Sequence, residues 1–335
     1  MSNPTILFVD DEPNVLNGLK RFCRSQRHVW NMHFVESGEA ALDFLKSNDV
    51  DVVVSDMRMP GVTGADLFEQ ISAIAPGIIR IILSGEAEQA QTIRTIGRSH
   101  RFLAKPCDPE SLIDAINAPL NLRNEINAHS FDKGTSYLDR LKSPESTFTE
   151  LEACLRRPDI SPSDVTSLVR RDPSLTARLL QLVNSAYFGR PVKTCNIGKA
   201  VEVIGCDRLL TLLENQRLGN HEEGSAQASG TPELADICAQ HSHDAGAEQD
   251  VQDLAYLAGL FARLGDTEPE AGSDPLNTNT LVAPLAAYTS TLLGLPSYLS
   301  STLRALAETQ IDNCDLDDRA RIILDTSRTI RSQAA

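Results

Sequence analysis

The sequence predicts an α/β domain with a doubly wound, five-stranded parallel sheet, followed by a second domain of helices alone. Three observations carry this. Across residues 1–126, short β-branched or aliphatic runs alternate with segments of helical period. Beyond about residue 142 that alternation stops, and only helix starts remain. At 335 residues the chain has room for two ordinary domains.

The elements follow in order. "TILFV" (5–9) is a short apolar strand, and Pro13 opens a helix through "NVLNGLKRFCR", with Val15, Leu16, Leu19 and Phe22 at helical spacing. "MHFVES" (32–37) is the second strand and "GEAALDFLKS" the helix after it. "VDVVVS" (50–55) reads as a strand buried on both faces, because such strands lose the apolar–polar alternation. "ADLFEQISAI" (65–74), "GIIRIILS" (77–84), a more polar helix over 87–98 and "RFLA" (101–104) come next. Asp108 as N-cap and Pro109 at the first helical position begin the helix of 108–126. Repeated βα units of this length imply a parallel sheet covered by helices on both faces.

Such sheets carry their sites at the C-terminal ends of the strands. Strand 1 ends in Asp10-Asp11-Glu12, strand 3 in Asp56, strand 4 in Ser84-Gly85 and strand 5 in Lys105-Pro106. Acids converging on one edge repel one another unless a cation joins them, and few oxygen ligands with room for water suit Mg²⁺. "LFVDDE", "VVVSDMRMPGVTG", "IILSG" and "FLAKP" together resemble the receiver domain of two-component response regulators. The resemblance implies a flavodoxin-like fold over residues 1–126 and a phosphoryl group accepted by Asp56 from a sensor histidine kinase. It further implies Mg²⁺ held by Asp10 or Asp11, or both, together with Asp56 and the backbone carbonyl of Arg58. Ser84 and Lys105 would bind the phosphoryl oxygens, and Phe102 would be the aromatic that turns inward on activation.

Residues 127–142 are polar and read as a linker, with 143–335 as the helical domain. Ser161-Pro162, Asp172-Pro173 and Thr231-Pro232 each place a capping residue before a proline. Leu175, Leu179, Leu182 and Val183 recur at helical spacing, which predicts one buried face. "DVQDLAYLAGLFARLG" (250–265) is a helix with Gly265 as C-cap, and 266–280 is a polar loop. "RRDPSLTARLLQLVNSAYFG" and "NIGKAVEVIGCDRLLTLL" resemble the HDOD domain, a helical relative of the HD phosphohydrolases. Where that superfamily writes a metal-binding His-Asp pair, this chain has Ala262 and Arg263, and "YTSTLLGLPSYL" lacks a later His. His241 and His243, two residues apart on a helix, point to different sides and cannot chelate one ion together. Asn184 and Ser185 are expected to bond backbone groups at the end of their helix. No catalytic residue is therefore expected in the second domain.

The net charge of −15 argues against nucleic-acid binding, where a basic face supplies most of the affinity. The seven cysteines have no CxxC spacing, which fits a reducing compartment. No apolar run approaches the roughly 20 residues that span a bilayer, and the N-terminus has no leader-like pattern. The expectation is a cytoplasmic response regulator, not an enzyme, whose HDOD domain acts by binding another protein. A cyclic-dinucleotide signalling enzyme is one candidate target, and a second copy of the chain is another candidate partner. The alternative is a metal-dependent HD-type phosphodiesterase acting on a cyclic dinucleotide.

Overall fold

The computed structural model describes residues 3–85, 98–126, 141–185, 193–214, 220–222, 231–262, 282–308 and 316–334. The expected helix over 87–98, the polar loop over 266–280, Arg263 and Gly265 lie outside the described residues, as does nearly all of the 127–142 linker. By packing, the chain divides into two compact units. The first holds the residues up to Asn121, and the second begins within a helix at Leu122 and holds most of the described residues beyond 140.

In the first unit the strands are β1 (Thr5–Val9), β2 (Asn31–Val35), β3 (Val52–Asp56), β4 (Ile79–Ser84) and β5 (Arg101–Ala104). They form one parallel sheet in the order β2-β1-β3-β4-β5. Every residue of β3 is buried, as its unbroken run of β-branched residues requires. Ile6, Leu7, Phe8, Val53, Ile81 and Ile82 complete the centre of the core. The helices are α1 (Pro13–Phe22), α2 (Gly38–Leu45), α3 (Gly64–Ile74) and α4 (Pro109–Ile126). Pro13 stands in the first turn of α1, the Ser37 hydroxyl accepts from the Ala40 amide at 3.1 Å, and Thr63 and Asp66 form a capping box on α3. At the start of β2, the buried Trp30 donates its indole N–H to Asn117 Oδ1 at 3.0 Å, tying that strand to α4.

The second unit is helical: α5 (Glu145–Leu155), α6 (Pro162–Val169), α7 (Pro173–Asn184), α8 (Ile197–Ile204), α9 (Cys206–Glu214), α10 (Thr231–Asp244), α11 (Gln249–Phe261), α12 (Val282–Leu292), α13 (Ser297–Glu308) and α14 (Leu316–Ala334). Two features depart from the sequence reading. A short parallel pair, β6 (Lys142–Pro144) with β7 (Asn220–Glu222), interrupts the all-helical pattern. Strands of three residues are too short to carry a period-2 signal. Helix α7 is buried along its whole length and not on one face. Its N-cap is Asp172, whose carboxylate accepts from the Leu175 amide and the Ser143 hydroxyl, each at 2.8 Å, so β6 is fastened to the helix start. Helices α10 and α11 meet at Gly259, where an added Cβ would lie 3.0 Å from Cys238 Sγ and 3.1 Å from Ala235 Cα. Among the described residues no helix is long and apolar enough to cross a membrane.

Candidate functional site

The site forms where the strand order reverses, between β1 and β3. Val9 is in register with Ser55, so the next residues, Asp10 and Asp56, leave the sheet side by side. Both are buried, Asp10 at 1% and Asp56 at 5% exposure. Asp56 pairs in register with Leu83 of β4, and Ser84 with Ala104 of β5, which brings Lys105 to the same edge. The Lys105 ammonium then reaches across to both acids, 2.7 Å from Asp10 Oδ2 and 2.5 Å from Asp56 Oδ1. The remaining oxygens are also engaged. Asp10 Oδ1 accepts from the Glu12 amide at 3.0 Å, and Asp56 Oδ2 from the Arg58 amide at 2.7 Å.

Two buried carboxylates thus share one ammonium. Burial raises the Asp56 pKa, and the Asp10 charge adds to the rise; Lys105 and the Arg58 amide oppose it but do not overcome it. Burial alone would lower Lys105, but its hydrogen bonds and charge contacts with Asp10 and Asp56 reverse this and leave it raised. Asp11 is half-exposed and lies outside the Lys105 network. The Ser84 hydroxyl contacts the Gly85 carbonyl at 3.3 Å, Phe102 is buried, and the Lys105–Pro106 peptide is cis.

Two positions that the sequence reading passed over hold the mouth of the site. At Gly64 a Cβ would collide with the Asp56 carbonyl oxygen, so α3 can start this close to β3 only with glycine there. Gly61 adopts φ +73°, and beside it the Glu39 carboxylate accepts from the Val62 amide at 3.0 Å. The glycines of "MPGVTG" were the available signal.

The donor set fits a hard cation. All the candidate ligands are oxygens, and the negative charge exceeds what Lys105 neutralises. Among the described residues, no group of three or more His, Cys, Asp or Glu side chains is gathered to hold a metal. A cation here would need water or backbone oxygens as well, which is the habit of Mg²⁺.

In the second unit, Asn184 is spent on backbone groups. Its amide nitrogen donates to the Leu180 and Thr194 carbonyls at 2.9 Å each, and its oxygen accepts from the Thr194 amide at 2.6 Å. Ala262 follows directly on α11.

A parallel sheet in this order, with acids at the adjoining ends of β1 and β3 and a lysine after β5, defines a receiver domain. The family model for the response regulator receiver domain matches residues 6–117, and that for the HDOD domain matches residues 141–268. The chain accordingly joins an N-terminal response regulator receiver domain to a C-terminal HDOD domain.

The chain is similar to the hydrogenase transcriptional regulatory protein HoxA of Cupriavidus necator, 31% identical over 114 residues, covering 33% of this chain and 23% of that one. It is also similar to the transcriptional regulatory protein GlrR of Escherichia coli, 33% identical over 116 residues, covering 34% of this chain and 26% of the relative. The chain spans about a quarter of the length of these curated relatives. Among solved structures, the signal receiver domain of an HD domain-containing protein from Pseudomonas fluorescens is 28% identical, with a TM-score of 0.35, covering 37% of this chain and 99% of that one.

Proposed function

We propose that Asp56 accepts a phosphoryl group from a sensor histidine kinase and that the HDOD domain passes the signal on by binding another protein. The observation that carries this is the shared lysine: Asp56 stands at a strand end, buried, with one ammonium fixed between it and Asp10. In the reaction a carboxylate oxygen of Asp56 bonds to phosphorus while the phosphorus–nitrogen bond of the donor histidine breaks, and the freed imidazole takes up a proton. Mg²⁺ held by Asp10, Asp11, Asp56 and the Arg58 carbonyl would neutralise charge on the transferred group. The product carries about −1.5 to −2 charges. Lys105 then exchanges its Asp56 contact for a phosphoryl oxygen, and the Ser84 hydroxyl turns from the Gly85 carbonyl to donate to another.

Those two movements draw the ends of β4 and β5 toward β3. The added charge biases an equilibrium only by its differential interaction with the two states, and a complete switch takes about 5.5 kcal/mol. The HDOD domain is read as a docking module because Ala262 has no ligand atom and Arg263 would repel a metal. The cytoplasm is the compartment this reading requires. The test is to incubate the full chain with a small phosphodonor and Mg²⁺ and map the modification. Labelling is expected on Asp56 and lost in Asp56→Ala; undiminished labelling of that variant would overturn the assignment.

A further inference from the structure

The start of α2 and the loop after β3 meet at Val62. A Cβ on Gly38, the first residue of α2, would lie 2.5 Å from the Val62 carbonyl oxygen and 2.7 Å from the Val62 Cβ. A side chain at position 38 therefore pushes the loop away. The Glu39 carboxylate next to it accepts from the Val62 amide at 3.0 Å. Its own backbone N–H and that of Val62 hold the Glu39 carboxyl below the usual carboxylate range, so at neutral pH it is a charged acceptor. Gly61 completes the contact, since a Cβ there would collide with Glu39 Oε1. Ser37, the N-cap of α2, fixes the first turn that carries Gly38 and Glu39.

The same loop reaches the site. The Gly64 amide donates to the Met57 carbonyl at 3.1 Å, which closes residues 58–63 into a loop with a bonded neck. Both ends of that loop bear on Asp56. The Arg58 amide donates to Asp56 Oδ2 at 2.7 Å, and a Cβ on Gly64 would collide with the Asp56 carbonyl oxygen. A loop closed at its neck and held at both ends has little room to move in one part alone. A shift imposed at Val62 is therefore passed on to Arg58, four residues earlier in the same loop. Arg58 supplies the one backbone oxygen in the ligand set proposed for the cation.

We infer that Gly38 and Glu39 are positioning residues for the cation: by seating Val62 they set the place of the Arg58 carbonyl. The inference rests on the reading of Asp56 as a phosphoryl acceptor that works with Mg²⁺, and it adds a part played by α2. The test uses Mn²⁺, which takes the same octahedral oxygen ligands as Mg²⁺, and reads its binding to the full chain by electron paramagnetic resonance. Gly38→Ala should weaken Mn²⁺ binding by about fivefold or more. Glu39→Ala removes one exposed bond and should weaken it by about two- to fivefold. Glu39→Gln keeps an acceptor oxygen and should stay within about twofold of the parent. In labelling with a small phosphodonor, the half-saturating Mg²⁺ of Gly38→Ala should rise by more than the maximal rate falls. By linkage, Mg²⁺ should slow hydrogen exchange at the Val62 amide in the parent and not in Glu39→Ala. Trp30 emission shows whether each variant keeps the first unit folded; if Gly38→Ala does not, the two Glu39 variants decide the matter. Parental Mn²⁺ affinity in the folded variants, or an equal loss in Glu39→Gln and Glu39→Ala, would overturn the inference and leave phosphoryl acceptance at Asp56 standing. A parent that binds no Mn²⁺ would overturn the cation reading and this inference with it.

Discussion

Replacing Lys105 with methionine tests the electrostatics of the receiver site directly. The ammonium is 2.7 Å from one buried carboxylate and 2.5 Å from another, so its loss leaves two acids facing each other with no counter-charge. Breaking a buried pair by deleting one partner costs about 3–5 kcal/mol. The Lys105 side chain is 25% exposed, so solvent screens part of this, and a cost of about 2–3 kcal/mol is expected. Asp56→Asn behaves differently: it removes the charge that burial and Asp10 both disfavour, and it leaves the Lys105–Asp10 pair intact. Its stability should stay within about 1 kcal/mol of the parent, on the stabilising side. In the Asp56→Asn background, Lys105→Met should then cost about 1 kcal/mol less than it does alone. The chain has a single tryptophan, Trp30, buried against α4, so its emission in urea reports the first unit alone. With a slope of about 1.5 kcal/mol per molar, Lys105→Met should lower the midpoint by roughly 1.5 M. An equal cost of Lys105→Met in both backgrounds would refute the shared-lysine account.

Three further outcomes follow from other parts of the molecule. Burial raises the pKa of Asp172, against the opposing bonds from the Leu175 amide and the Ser143 hydroxyl. A raised folded-state pKa contributes stability at pH below the unfolded value of about 4, and that contribution is lost as pH rises through the folded value. The stability of the parent minus that of Asp172→Asn should therefore grow as pH falls from 7 toward about 4; a flat difference in thermal melts would count against it. Asn184→Ala strands the Leu180 and Thr194 groups it now satisfies, and should destabilise the helical unit by about 2–3 kcal/mol in denaturant unfolding. Gly64→Ala drives a Cβ into the Asp56 carbonyl; it should cost about 1–3 kcal/mol by Trp30 fluorescence and slow phosphoryl labelling, and parental labelling rates would show that the loop has room to yield.

The sequence by itself determined what is local. The run of three valines before Ser55 is a strand buried on both faces because no residue in it tolerates water. Ser161 with Asp164 starts a helix because its hydroxyl and carboxylate satisfy the free amides of the first turn. The acids, hydroxyl and lysine at the strand ends were legible for the same reason, since each follows directly on its strand. What only the tertiary structure decided is which of them meet. Asp10, Asp56 and Lys105 are joined because β1 and β3 are neighbours in register and a long side chain after β5 spans the gap. Asp11, equal to Asp10 in the sequence, is left outside that network by the alternation of side chains where β1 ends. The same holds for Arg80, which looks like a surface charge interrupting "GIIRIILS". It is fully buried, and its guanidinium donates to the Pro76 and Ile78 carbonyls at 3.0 Å each and to the Arg98 carbonyl at 2.5 Å. A sequence lists the donors and acceptors, but burial is set by every neighbouring element at once, and that sum exists only in the folded chain.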